Sequence, residues 1–160
     1  MKLYLLMGAP GSGKSTWIKN HLSLTDKYVS RDEVRFSMVS EGEEYFSKEN
    51  QVFKEYVKRI NEGLENYDVF ADATHITAAS RNKLLRAITT KPTSIEVIWI
   101  KTPLNMALER NEMRKGTRAY VPVSAIRRMY HQTEKPEFEE GFDKIYIVEP
   151  NQKIKVVERG

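Results

Sequence analysis

Eight residues near the N-terminus, Gly8-Ala9-Pro10-Gly11-Ser12-Gly13-Lys14-Ser15, fit the pattern GxxxxGK[ST]. Glycines at these positions let backbone N–H groups converge on an anion without side-chain obstruction, and the lysine brings a positive charge to it. An apolar run, KLYLLM (2–7), precedes the loop, and KSTWIKNHLS continues as a helix whose positive end adds to the cradle. In such a cradle Lys14 reaches the β- and γ-phosphates of a nucleotide, Ser15 holds Mg²⁺ and Thr16 bonds the α-phosphate. The alternative is a plain Gly-rich turn, and the flanking strand and helix favour the cradle.

A phosphate cradle does not by itself specify a reaction. The DxxG and NKxD patterns of a GTPase are absent, since no Asp has Gly three positions on and Asn82-Lys83 is followed by Leu84-Leu85. The chain is also small for a helicase motor. A small phosphotransferase or a nucleotide-operated switch without chemistry remains.

VSRDEVRFS (29–37) follows the second strand segment, KYVS (27–30). Ligands of open α/β sheets bind at the carboxyl ends of the strands, so this loop opens on the same edge as the cradle. Asp32 is placed there to accept the proton of an attacking hydroxyl. Arg35, three residues on, shares its face if a helix begins here and could grip an anionic group of the acceptor with two prongs. Arg31 and Glu33 are expected to point elsewhere, into solvent. An N-capping Asp32 with an ordinary surface salt bridge is the competing reading. Asp72, ending VFADATH, is a loose match to an acid that backs up the Mg²⁺ water shell. His75 nearby is more simply structural than catalytic.

Between residues 110 and 128 stand Arg110, Arg114, Lys115, Arg118, Arg127 and Arg128 against one acid, Glu112. They surround an aperiodic stretch with Gly116, which suits a lid, about 110–121, closing over phosphates. Arg114 and Arg118 are candidates to neutralise the transferring phosphoryl group, and Arg127 and Arg128 to meet substrate phosphates. Spacing leaves open which arginine does which job, and a solvated basic surface is the bland alternative.

The remaining pattern must position these groups. The residues SKENQVFKEYVKRINEGLENY (47–67) form the strongest helix, with Val52, Phe53, Tyr56, Val57, Ile60 and Leu64 on one face. DVFADA (68–73), SIEVIWI (94–100) and DKIYIVE read as strands, and the helices ASRNKLLRAITT, PLNMALERNEMRK and VSAIRRMYHQTE alternate with them. NQKIKVVERG at the end folds back as a hairpin edge. Alternation of this kind predicts a three-layer α/β fold with a mainly parallel sheet, in one domain over residues 1–160. The 40% hydrophobic content suits a globular core, no apolar run approaches a membrane span, and the net charge of +4 hints at an anionic partner. Absence of cysteine excludes disulfides and thiolate metal sites, as expected of a cytoplasmic protein.

Taken in order, GAPGSGKSTW, SRDEVRFSM, VFADATHI and ERNEMRKGTRAYVPVSAIRRMY resemble the kinase domain of the bacteriophage polynucleotide 5′-hydroxyl kinase family, over roughly residues 2 to 150. That resemblance implies a P-loop kinase with a five-stranded sheet of order 2-3-1-4-5 that transfers the γ-phosphate of ATP, with Mg²⁺, to the 5′-OH of RNA or DNA. It makes the cradle residues Gly8, Gly11, Ser12, Gly13, Lys14, Ser15 and Thr16 the ATP and Mg²⁺ seat. It makes Asp32 the general base, Arg35 the holder of the acceptor's 3′-phosphate, and Arg114 the transition-state residue, with Arg110 near the nucleotide. The phage relative is a tetramer, which leaves a homo-oligomer open here, but no residue pattern marks a subunit contact. The chain departs from the phage pattern in Lys115, which reads as an insertion in Arg-Gly-Thr, and in Asp72-Ala73-Thr74-His75, where the phage enzyme has Asp-Thr-Asn. The phosphatase domain of the phage enzyme is expected to be absent, so the expected activity is that of the kinase half alone. A kinase for a nucleoside or other small hydroxyl compound shares the cradle and base and is the nearest rival.

Overall fold

The computed structural model describes residues 1–160. Strand β1 (Lys2–Met7) is apolar at nearly every position because both of its faces are covered. Leu3, Leu5 and Met7 join a core with Tyr56, Ile60 and Leu64 of helix α3 (Glu49–Leu64) and Leu84 of α4 (Ala78–Ala87). Leu6 turns to the opposite core, formed with Trp17 and Ile18 of α1 (Lys14–His21). The period-2 alternation of a strand thus sorts one short run between two layers of helices.

Parallel strands β2 (Asp26–Ser30), β3 (Asp68–Asp72), β4 (Ser94–Ile100) and β5 (Lys144–Val148) flank β1 in the order β2-β3-β1-β4-β5. The order is the expected one, but the sheet has six strands, not five. The C-terminal hairpin adds β6 (Ile154–Val156) antiparallel to β5, through pairs such as Val148 with Ile154. No helix is long and apolar enough to cross a membrane.

Local chemistry sets the helix starts. The Ser30 hydroxyl accepts from the Glu33 N–H at the head of α2 (Arg31–Met38), so the cap is Ser30 and not Asp32. Thr77 and Ser80 close a capping box at α4, which ends at Ala87, short of the expected Thr90. Pro103 precedes α5 (Leu104–Glu112), and α6 (Val123–Gln132) follows Pro122.

Buried Asn111 joins the two ends of the arginine-rich connection between α5 and α6. Its side-chain amide donates to the Val121 carbonyl at 2.7 Å and accepts from the Val121 N–H at 3.0 Å. The connection is therefore tied at its base while Arg114 to Ala119 project from it.

Candidate active site

The cradle lies between β1 and α1, and its backbone is shaped by glycine. Gly11 has φ 82°, and a Cβ there would come within 2.5 Å of the Ala107 carbonyl of α5. Gly13 has φ 98° and is the N-cap of α1, with no side chain bonded to the first N–H groups of that helix. Uncapped donors at a helix start are an anion seat. The Ser12 hydroxyl is buried in the loop with no partner, a further donor without an acceptor. Lys14 folds back onto the loop, its ammonium donating to the carbonyls of Gly8 (2.7 Å) and Ala9 (3.2 Å). Burial pushes its pKa down, opposed by the carboxylates of Asp72 and Asp32. A bound phosphate would relieve that cost by restoring an opposite charge.

Asp72, at the end of β3, is buried beside the cradle and accepts from the Tyr28 hydroxyl at 2.5 Å. Burial pushes its carboxyl upward against the pull of the Lys14 ammonium and the Tyr28 hydrogen bond. Ser15 and Asp72 both line one cavity of about 240 Å³. An all-oxygen pair of this kind suits Mg²⁺, which takes few protein ligands and completes its shell with water and substrate phosphate.

That cavity brings together most of the residues singled out by sequence: Gly11, Gly13, Lys14 and Ser15 of the cradle, Asp32 and Arg35 of α2, Asp72 of β3, and Arg114 of the connection between α5 and α6. Asp32 stands half out of the α2 surface, its side chain 62% exposed. Its Oδ1 accepts from Arg35 Nη1 at 2.5 Å and from the Tyr45 hydroxyl at 2.9 Å, while its Oδ2 makes no hydrogen bond. The ion pair thus holds the carboxylate by one oxygen and leaves the other without a partner, on a residue that lines the cavity. Arg35 is buried, and Glu49 takes its remaining edge through Nε (3.0 Å) and Nη2 (2.7 Å).

The other predicted residues are placed differently. Gly8 lies behind the loop, its N–H donating to the Thr74 carbonyl at 2.9 Å. Ser12, Thr16 and Arg110 border a second cavity of about 560 Å³ on the far side of the cradle, which Arg114 also lines. Arg110 reaches the loop, donating to the Gly11 carbonyl at 3.3 Å. Arg118 turns away from both cavities, stacks on Phe36 and donates to the Phe36 and Val39 carbonyls. Arg127 and Arg128 are exposed on α6, outside both cavities. Arg31, expected in solvent, instead lines the first cavity, packed over the Phe53 and Tyr56 rings, with its Nε buried and unpartnered.

Tyr28, Tyr45, Phe46 and Glu49 escaped the sequence reading. Tyr45 and Phe46 stand as an aromatic pair in the otherwise polar EGEEYFSKEN, a signal that could have flagged them. Glu49 carries no such mark, being one of many charges around α3. His75 is structural. Its Nδ1–H donates to the Leu6 carbonyl at 2.6 Å and its Nε2 accepts from the Tyr56 hydroxyl at 3.2 Å.

A family model described as "AAA domain" matches residues 3–136. An L-seryl-tRNA(Sec) kinase of Methanococcus maripaludis is 25% identical, over 98% of this chain and 69% of its own. Among solved structures, a chain of the Pnkp1/Rnl/Hen1 RNA repair complex superposes with a TM-score of 0.68 at 25% identity, over 82% of this chain. This chain spans 43% of that one. Chaetomium thermophilum Kti12, solved in complex with ADP-AlF3, superposes with a TM-score of 0.67 at 15% identity, over 94% of this chain and 90% of its own.

Proposed function

The chain belongs to the AAA domain family and has the α/β fold of a P-loop kinase, and from that premise we propose that it is an ATP-dependent polynucleotide kinase acting on the 5′-OH of RNA or DNA, its residues 1–160 forming one catalytic domain. The observation that carries this reading is the unbonded Oδ2 of Asp32, in a cavity shared with Lys14 and Arg114. A phosphoryl acceptor needs a base beside the donor's terminal phosphate, and a nucleotide switch needs none.

In the proposed reaction the acceptor oxygen forms a bond to the γ-phosphorus as the bond from that phosphorus to the departing ADP breaks. The hydroxyl proton passes to Asp32 Oδ2. Arg35 and Tyr45 hold the other carboxylate oxygen and so aim the base. Lys14 leaves the loop carbonyls for the β- and γ-phosphates, and Arg114 balances charge that spreads onto the transferring group. Mg²⁺, held by Ser15 and Asp72, would supply further neutralisation of the phosphate oxygens. Arg110 neighbours the nucleotide from the second cavity. Arg127 and Arg128, exposed and basic, would neutralise phosphates of a longer acceptor strand.

Incubation with γ-labelled ATP and a panel of acceptors tests the reading. Label on a 5′-OH oligonucleotide supports it. Label confined to small alcohols, or to an aminoacylated tRNA, overturns it. The modest cavity of about 240 Å³ favours the small-acceptor rival. A steep fall of acceptor affinity with salt would speak against that rival, since only a polyanion releases many counterions.

A further inference from the structure

We propose that Glu49 reads the ribose 2′-OH of the acceptor's terminal nucleotide, so that RNA ends are preferred over DNA ends. This rests on the polynucleotide reading above and narrows it.

The argument starts from the guanidinium of Arg35. An anion-gripping arginine presents a free edge, and Arg35 has none. Nε and Nη2 go to Glu49, and Nη1 goes to Asp32 and Tyr45. The same Glu49 carboxylate also meets Arg31 Nη2 at 3.5 Å. Two guanidiniums and two carboxylates therefore balance at this end of the cavity. A phosphate entering here would have to displace Glu49 and would face its charge. A neutral hydrogen-bond donor meets neither obstacle.

Glu49 is suited to receive such a donor. Its side chain is 30% exposed, it lines the same cavity as Asp32, and its Oε2 accepts only from Arg35 Nε and so keeps a lone pair, whereas Oε1 already accepts from both Arg35 and Arg31. Asp32 and Glu49 are bound to one guanidinium, which sets the two carboxylates side by side. An acceptor that offers its reacting hydroxyl to Asp32 thus brings another part of the same sugar within reach of Glu49. In a polynucleotide the 3′-oxygen is esterified, so the terminal sugar keeps one other hydroxyl if it is ribose and none if it is deoxyribose.

The test compares label transfer to three 5′-OH oligonucleotides of one sequence: all-RNA, RNA with a single 2′-deoxy residue at the 5′ end, and all-DNA. The wild-type protein is expected to use the all-RNA acceptor about 10- to 100-fold better in kcat/KM than the terminally deoxy one, the span of a hydrogen bond to a charged acceptor. In Glu49→Gln the ratio between these two should shrink to within about threefold, the amide being a weaker acceptor than the carboxylate. Because the ratio is taken within each protein, a general loss of positioning through Arg35 cancels. Equal use of all three acceptors by the wild type overturns the proposal while leaving the polynucleotide reading intact. So does a Glu49→Gln variant that loses activity on both acceptors and keeps their ratio. Absence of label on any oligonucleotide overturns both.

Discussion

Two buried arginines, Arg35 and Arg81, each bind a carboxylate through Nε and Nη2, yet they sit in opposite surroundings. Arg81 of α4 is fully buried. It holds Glu140 (2.8 and 3.1 Å) and donates to the His75 carbonyl at 2.8 Å. All its neighbours are fixed parts of the fold, and Glu140 is only 13% exposed. Arg35 instead shares its bonds between two carboxylates that both border the cavity, one of them 62% exposed. The lesson is that burial of an arginine does not separate structure from function. What separates them is whether its partners face a space another molecule can enter.

The sealed network still serves the site. His75 follows the Asp72 loop and has φ 47°, a left-handed backbone uncommon for a residue other than glycine. Arg81 bonds its carbonyl, and the imidazole is gripped at both nitrogens. Thr74, one residue earlier, accepts from the Gly8 N–H. These bonds register the Asp72 loop against the cradle.

If the contrast is sound, substitutions in the open network should hit turnover and those in the sealed one stability. The largest effect is expected from Asp32→Asn, which should lower phosphoryl transfer by about 10²- to 10⁴-fold. Its melting temperature should stay near wild type, since the side chain is mostly exposed. Transfer within threefold of wild type would remove Asp32 as the base.

Arg81→Met should leave Glu140 without its partner at a cost of about 3–5 kcal/mol. For a chain of this size that is a fall of about 10 °C in a thermal unfolding scan, with turnover per folded molecule little changed because the His75 ring keeps its own bonds to the Leu6 carbonyl and Tyr56. A loss of turnover without a loss of stability would reverse the contrast. Arg35→Lys should lie between the two. One ammonium cannot span Glu49 and Asp32 as the guanidinium does, and kcat should fall about 10- to 100-fold. The drop in melting temperature should be smaller than for Arg81→Met because Asp32 and Glu49 reach solvent.

The smallest effect concerns pH. Burial pushes the His75 imidazole down to about 3, despite the Leu6 carbonyl that favours the proton. The unfolded chain then binds a proton near pH 6.5 that the folded chain refuses, so stability contributed by neutral His75 is present above pH 6.5 and lost as pH falls toward 3. Between pH 6.5 and 5 the loss is roughly 1–2 kcal/mol. The raised carboxyl of Asp72 acts with the opposite sign. The difference between wild type and His75→Gln in urea unfolding at several pH values isolates the histidine. Parallel pH curves for the two proteins would place no weight on it.

Much of this was legible in the chain itself. The cradle could be read because its chemistry is local: glycines, a lysine and a serine at short fixed offsets need only the adjoining strand and helix. The Asp-x-x-Arg stretch was legible for the same reason, and so was the alternation that predicts a parallel sheet. The sixth strand is a hairpin edge anticipated in the tail but left out of the expected strand count. Arg31 was misjudged because an arginine beside three other charges looks solvated until aromatic rings from α3 are packed beneath it.

By itself the sequence determined which residues could cradle phosphate, which carboxylate could take a proton, and in what order the strands and helices run, because those features depend on neighbours within about ten positions. Only the tertiary structure decided that Glu49 occupies Arg35, that Arg118 bonds to α2 instead of lining either cavity, and that Arg81 is sealed beneath the site. Those outcomes hang on contacts between residues 14 to 82 positions apart, where charges of identical type become anchors or reagents according to what the folded chain packs around them.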